Sequence, residues 1–410
     1  ELMASIAASA MRRLDEFATH DLANLLWSYP SLELEVEGAF LSRVHDVVIG
    51  RVPAECATIL EKMAASPITT DFIVQVSEFT NSLLEFAWSL SFSGEPTCEV
   101  MDVLRSRLMA VAKLLDQRCP WRALFSPGLR AAPYGMGLGW AGEIPRIILD
   151  LEGIVAVLKP PHWEVDARAG GSIPSESSGA PLFSSFLRYT FPRDTCPLMH
   201  CNGQQFGIIH RLDAPSSGLI LAGKNFVGYY TLRWQQDTYE MGREYMVLCH
   251  GRMSWDPQVI NVKIKTPKVF PAHSEVSDEG RPAWTRVQPL CILKRADRLE
   301  ECYSLVVIII RTGRTHQIRV HLKHIGHPSV TDGKYTSQQL YDSDRAWCPR
   351  NFLHRHRLTF EDTKGILQEA VAPLPEDLLA VLRGMIAADR HSNEVLEMVR
   401  KGWVPKAACE

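Results

Sequence analysis

The stretch that decides the reading runs His210-Arg211-Leu212-Asp213-Ala214-Pro215-Ser216-Ser217-Gly218-Leu219. Ile208 and Ile209 lead into it as a short strand, and Gly218 to Ala222 leads out as another. Asp213 therefore falls on the connection between two apolar strands. Asp ahead of Pro-Ser-Ser-Gly is ordinary turn chemistry, because its side chain bonds nearby backbone. A carboxylate on a loop held by rigid strands is also well placed for chemistry. Two further segments decide between these readings.

The first is Arg243-Glu244-Tyr245-Met246-Val247-Leu248-Cys249-His250-Gly251, a strand of alternating character. The second is Arg311-Thr312-Gly313-Arg314-Thr315-His316-Gln317-Ile318-Arg319-Val320-His321-Leu322, followed by Gly326-His327-Pro328 and by Asp332 to Tyr335. It predicts a helix over 315–325, with Thr315 as N-cap, Gly326 closing it and Pro328 just beyond. Ile318, Leu322 and Ile325 form its apolar stripe, while His316, Arg319 and Lys323 share another face. A carboxylate must be ionised to act as a nucleophile. Burial raises its pKa, so a nearby cation is needed to keep it charged and aimed. Arg319 is the candidate for that cation.

These segments carry a family resemblance. Ile208 to Lys224 resembles the nucleophile motif of the RluA family of RNA pseudouridine synthases, 243–251 its tyrosine strand and 311–322 its arginine motif. Flanking echoes are Val157-Leu158-Lys159-Pro160-Pro161, Arg281-Pro282-Ala283-Trp284-Thr285, Phe352-Leu353-His354 and Leu358-Thr359-Phe360. The order is the family's across roughly 146–362. Departures are mild: Ser216 stands for a common Thr, Ala222-Gly223 for Leu-Ala, and Arg243 for a frequent Lys. The S4-type domain of many relatives is not recognisable.

The resemblance implies an isomerase that breaks the C–N glycosidic bond of a uridine and rejoins the base through C5. Such a reaction calls for no redox cofactor, phosphate donor or metal. It implies Asp213 as nucleophile, Arg319 as its partner, and Tyr245 with its ring against a flipped base and its hydroxyl near the C5 proton. His210, Arg211, Arg314, His316, Gln317 and Lys323 are the candidate RNA contacts, Arg314 for a phosphate. The partner is RNA, whether ribosomal, transfer or messenger, and the protein is expected to act as a monomer. A catalytically silent RNA-binding or assembly protein of the same fold is the competing reading. Glycoside hydrolysis needs a second carboxylate across the bond, and none stands beside the motif.

Net charge over the 410 residues is −3, which does not by itself favour a polyanion. The distribution does. Arg311 to Thr331 holds three Arg, one Lys and four His without a carboxylate, and Arg345 to Phe360 holds four Arg and two His, again without one. Ten cysteines form no CxxC pair, so zinc ligation is not expected, and reduced thiols fit a reducing compartment. No apolar run reaches bilayer-spanning length. The chain opens at Glu1 rather than Met, which leaves room for a preceding targeting segment.

Residues 1–118 read as helical. Leu22 to Ser28 is echoed at Leu83 to Ser89, each with Leu and Trp five apart and Ser following. The pair resembles the helical repeats of octotricopeptide and RAP-associated organellar RNA-binding proteins. It implies an RNA-positioning role and an organelle, while the cysteines also fit cytosol or nucleus. Residues 119–145, with four prolines among glycines, read as a linker. Ala167 to Pro181 reads as an inserted loop. Residues 146–374 read as the catalytic domain and 375–410 as a helical tail packed outside the sheet. Strands are expected at 153–159, 206–211, 218–223, 244–250, 258–264, 284–290, 302–311 and 352–360, and helices at 182–190, 226–240 and 315–325. They do not alternate regularly, which predicts an α+β fold with a mixed, mainly antiparallel sheet.

Overall fold

The computed structural model describes residues 9–11, 13–31, 38–65, 70–94, 97–118, 142–166, 180–267 and 273–406. The linker expected at 119–145 lies outside them up to residue 141, as does most of the loop expected at 167–181. Four long helices come first: α1 (Thr19–Ser31), α2 (Gly38–Ala65), α3 (Thr70–Ser93) and α4 (Cys98–Arg118). A ten-stranded sheet follows. Its main path runs β1 (Arg146–Leu151), β2 (Ile154–Lys159), β3 (Ser217–Gly223), β10 (Leu353–Glu361), β4 (Gly242–His250), β9 (Arg298–Ile310), β8 (Thr285–Arg295) and β12 (Met385–Ala387). β5 (Gln258–Ile260) joins β8, and β11 (Leu367–Val371) joins β10. β6 (Ile264–Lys265) and β7 (Glu275–Val276) form a separate ribbon. Strand pairings in the large sheet are antiparallel except β3 with β10, where Ser217 faces His354 and Gly218 faces Arg355. The fold is α+β with a mixed, mainly antiparallel sheet.

The two-residue period of a strand sends alternate side chains to opposite layers. Ile154 and Ala156 of β2 pack under the N-terminal helices and α6 (Phe226–Asp237), whereas Val155 and Val157 face α5 (Phe183–Thr190) and α7 (Gln317–His324). Along β4, Met246 and Leu248 pack beneath α9 (Glu376–Arg383) and α10 (Arg390–Arg400). Tyr245 and Val247 face the α7 layer. This alternation puts the ring of Tyr245 on the face that carries Arg319.

The N-terminal helices are fastened to the sheet through α6. Asp116 of α4 accepts the backbone N–H of Phe226 (2.7 Å) and of Val227 (3.0 Å), capping α6 from another element. Thr80 and Tyr230 share a buried hydroxyl–hydroxyl bond of 2.9 Å. α8 (Gln338–Arg345) lies between α7 and β10 in the chain. Among the described residues no helix is long and apolar enough to cross a membrane.

β1, β7, β11 and α8 stand where no element was expected, and three further elements differ from expectation. The strand expected at 206–211 is a 3-10 segment, Asn202–Gly207, followed by extended chain with one bridge, Ile208 to Ala222. Gln205, Phe206 and Gly207 all take positive φ, which turns the chain where the apolar run suggested continuation. The strand expected at 258–264 splits into β5 and β6. The tail adds β12, which pairs with β8 and covers that sheet edge between α9 and α10.

Candidate active site

Asp213 sits on the loop before β3, and that loop is anchored from beneath. Lys159, fully buried at the end of β2, donates to the carbonyls of Pro160 (3.0 Å), Trp163 (3.1 Å) and Ala214 (3.3 Å). Burial pushes its ammonium down to about 7, aided by the positive charge of Arg350. Arg350 holds the far side of the loop, donating to Pro215 O (3.3 Å) and Ser217 Oγ (2.9 Å). Gly218 has φ +133°, and a Cβ there would lie 2.5 Å from the backbone of Arg355. Only glycine allows this loop to meet β10 so closely.

The Asp213 side chain keeps 29% of its surface exposed and accepts from Arg319 Nη1 at 2.7 Å. Arg319 spends its other donors on Asp332: Nε to Oδ2 at 2.8 Å and Nη2 to Oδ1 at 2.6 Å. Asp332 is wholly buried and also accepts from the backbone N–H of Lys334 and Tyr335. The guanidinium lies 5.1 Å from the Tyr335 ring centroid. One cation is thus clamped by a buried acid and presented to an accessible one, a planar fork that lysine cannot copy. Burial pushes the Asp213 carboxyl up, but Arg319 outweighs this and holds it below its ordinary value. Asp332 is likewise lowered, burial again being outweighed by Arg319. Asp213 is therefore ionised at neutral pH.

Tyr245 is nearly fully buried, and its hydroxyl oxygen accepts from Arg355 Nε (2.8 Å) and Nη2 (2.5 Å). The same guanidinium lies 4.9 Å from the ring centroid and donates to Leu219 O and Arg211 O. Arg355 therefore ties the tyrosine strand to the loop that carries Asp213.

Asp213, Tyr245 and Arg319 line one cleft of about 310 Å³, together with Arg211, Arg314 and Arg355. His210, His316 and Gln317 also border it. His210 is buried with Nε2 accepting from Leu221 N at 3.2 Å, and burial holds it neutral. His316 approaches Asp213 at 3.7 Å and bonds the Tyr335 hydroxyl through Nδ1; burial pushes it down to about 4. Gln317 spends its amide on Thr312, Trp284, Thr285 and the Arg314 backbone, fastening the turn before α7. His316, rather than the expected Thr315, is the N-cap of α7, in a left-handed conformation (φ +56°) without a side-chain cap. Lys323 is exposed, off the cleft wall, 5.9 Å from the Tyr335 ring centroid. Sequence reasoning passed over Asp332, Arg355 and Lys159 as site residues. Asp332 and Lys159 lay inside recognised motif stretches, but nothing local separated Arg355 from Arg350 and Arg357. Among the described residues no group of three or more His, Cys, Asp or Glu is placed to hold a metal.

Comparison with known proteins adds a second line of observation. A family model described as RNA pseudouridylate synthase matches residues 154–324, from β2 to the end of α7. The uncharacterized RNA pseudouridine synthase YlyB of Bacillus subtilis is 33% identical over 180 residues, covering 44% of this chain and 55% of that protein. An uncharacterized RNA pseudouridine synthase of Helicobacter pylori is 30% identical over 232 residues, covering 56% of this chain and 76% of that protein. The ribosomal large subunit pseudouridine synthase D of Escherichia coli is 28% identical over 264 residues, covering 62% and 74%. The chain thus spans about half the length of the first and three quarters of the others. The solved structure of human RNA pseudouridylate synthase domain containing 1 matches 66% of this chain and all of its own, at 21% identity and a TM-score of 0.46. Helices α1 to α4 lie outside the family-model match.

Proposed function

This chain belongs to the RluA-type RNA pseudouridylate synthase family, and we propose that it isomerises uridines to pseudouridine in structured RNA with Asp213 as the reacting carboxylate. The observation that carries this reading is the 2.7 Å contact from Arg319 to an accessible Asp213 in a cleft shared with Tyr245. A uridine within a helix must leave the stack to reach it. Arg211 and Arg314 on the cleft wall suit the phosphates beside the displaced nucleotide. Asp213, kept charged by Arg319, attacks the ribose or the electron-poor base, and the bond between C1′ and N1 breaks. The freed base turns while stacked on Tyr245, C5 bonds to C1′, and the bond to Asp213 breaks and returns the carboxylate. C5 then gives up its proton and N1 carries one, so product and substrate are isomers. Arg355 orients the Tyr245 hydroxyl that this reading places near the C5 proton.

Pseudouridine mapping in cells lacking the protein tests this. Sites lost in those cells should return with the wild-type chain and not with Asp213→Asn. Their return with Asp213→Asn removes the carboxylate from the chemistry and favours a silent RNA-binding protein.

A further inference from the structure

A second cavity, about 230 Å³, opens where α1 and α3 meet the catalytic fold. Its walls are the two tryptophans of the faint repeat, Trp27 and Trp88, with ring centroids 6.0 Å apart. Both remain half-buried, whereas Leu22 and Leu83, the repeat's leucines, are buried. Helix packing uses the leucines; Trp88 stacks one face on Phe92, with centroids 5.3 Å apart, and both indoles keep part of their surface exposed.

The charges around these rings are asymmetric. Arg281 is exposed, lies 5.6 Å from the Trp27 centroid and pairs with no carboxylate among the described residues. Arg314 fixes its Nε on Pro282 O (2.8 Å), next to Arg281, and likewise pairs with no carboxylate among them. Glu85 lines the same cavity without an ion pair among the described residues; burial, and then Asp237, raise its pKa. Asp237 itself is paired with Arg233 at 3.4 Å. Two arginines without a carboxylate partner among the described residues, two indole rings and one carboxylate without an ion pair among them therefore surround a single cavity. Arg314 lines this cavity and the Asp213 cleft alike, so the two share a wall.

We propose that this cavity is a second nucleotide site. An unpaired base bearing an amino group, near the target uridine in the same RNA, stacks on Trp27 and Trp88. Its amino group donates to Glu85 and its phosphate rests on Arg281 and Arg314. Aromatic faces with adjacent cations are the general means of holding single-stranded nucleotides, and a carboxylate selects for an amino donor. The inference rests on the RNA reading of the Asp213 cleft. It gives the N-terminal helices a share in choosing which uridine reacts.

The test uses the full chain and a pool of RNA decamers with one fixed central uridine and random flanks. Wild-type protein should bind the pool and enrich adenine, cytosine or guanine over uracil at one fixed offset. Trp27→Ala and Arg281→Ala should each weaken binding about tenfold, and Trp27→Phe should retain most of it. Glu85→Gln should flatten the enrichment with little change in affinity. Arg281 is exposed, so its variant reports on binding without unpacking a core. If these variants bind like wild type while Arg211→Ala is weakened, the second site is wrong and the cleft reading stands. If wild type binds no RNA, both readings fall. If the variants leave RNA affinity unchanged but alter the oligomeric state, the cavity is a protein interface and the proposal is overturned.

Discussion

The two cavities that share Arg314 hold similar residues in opposite states of pairing. In the Asp213 cleft the key charges are already paired: Arg319 between Asp213 and Asp332, and Arg355 on the Tyr245 hydroxyl. In the tryptophan cavity Arg281, Arg314 and Glu85 have no ion-pair partner among the described residues. A reacting group must be aimed before substrate arrives, because orientation and electrostatic stabilisation are worth most when fixed in advance. A recognition surface instead keeps its donors and acceptors open for the ligand. Substitutions in the cleft should therefore change turnover or stability, with or without binding, and those in the second cavity should change binding alone.

The largest effect is expected at Arg319. Arg319→Ala leaves buried Asp332 without its cation, which costs about 3–5 kcal/mol, and frees Asp213 to titrate upward. Urea unfolding should show the loss, and activity should vanish even where the fold survives. Full activity in a folded Arg319→Ala chain would break the contrast at its strongest point. Tyr245 comes next. If its hydroxyl serves proton transfer, Tyr245→Phe should slow single-turnover isomerisation by roughly 10²–10⁴-fold, the range for a positioned acid or base. Tyr245→Ala should add a loss of RNA binding through the missing ring. Equal rates for Tyr245→Phe and wild type would confine Tyr245 to packing.

Smaller changes sharpen the comparison. Trp27→Ala should raise KM about tenfold with kcat unchanged, the mark of lost uniform binding; a fall in kcat would place Trp27 in the chemistry instead. The smallest effect is that of pH. The folded-state values of Asp213 and Asp332 lie below their unfolded ones. Their stabilisation is then fully present above about pH 4 and is lost as pH falls through the folded values. Urea midpoints should drop on acidification below pH 4, and by less in Asp332→Asn. Because His316 is held down to about 4, its titration should give the rate no limb between pH 6 and 7.

The sequence was most legible where order along the chain carried information. Asp213, Tyr245 and Arg319 each stood in a recognisable run, and the structure lines one cleft with all three. The strands β2, β3 and β9 were visible as apolar runs because their central residues are buried on both faces, whereas β4 reads as an alternating strand and β10 carries His354, Arg355, His356 and Arg357 in succession. What escaped is non-local. Asp332 matters because it sits behind Arg319, and Arg355 because a bulge-prone register with β4 sets it under Tyr245. No spacing rule reports either. β12 is three residues long and is a strand only because β8 offers it an edge. The break at Gln205-Phe206-Gly207 depends on positive φ at two non-glycine residues, which apolar patterning does not announce.

The central claim is that an ionised Asp213, held by Arg319, makes and breaks the bond to the uridine. Its most direct test is single-turnover isomerisation by the purified protein, on RNA from cells that lack it. Wild type should form pseudouridine, and Asp213→Asn should bind the same RNA with similar Kd and form none. Product from Asp213→Asn at a rate within tenfold of wild type would contradict the account.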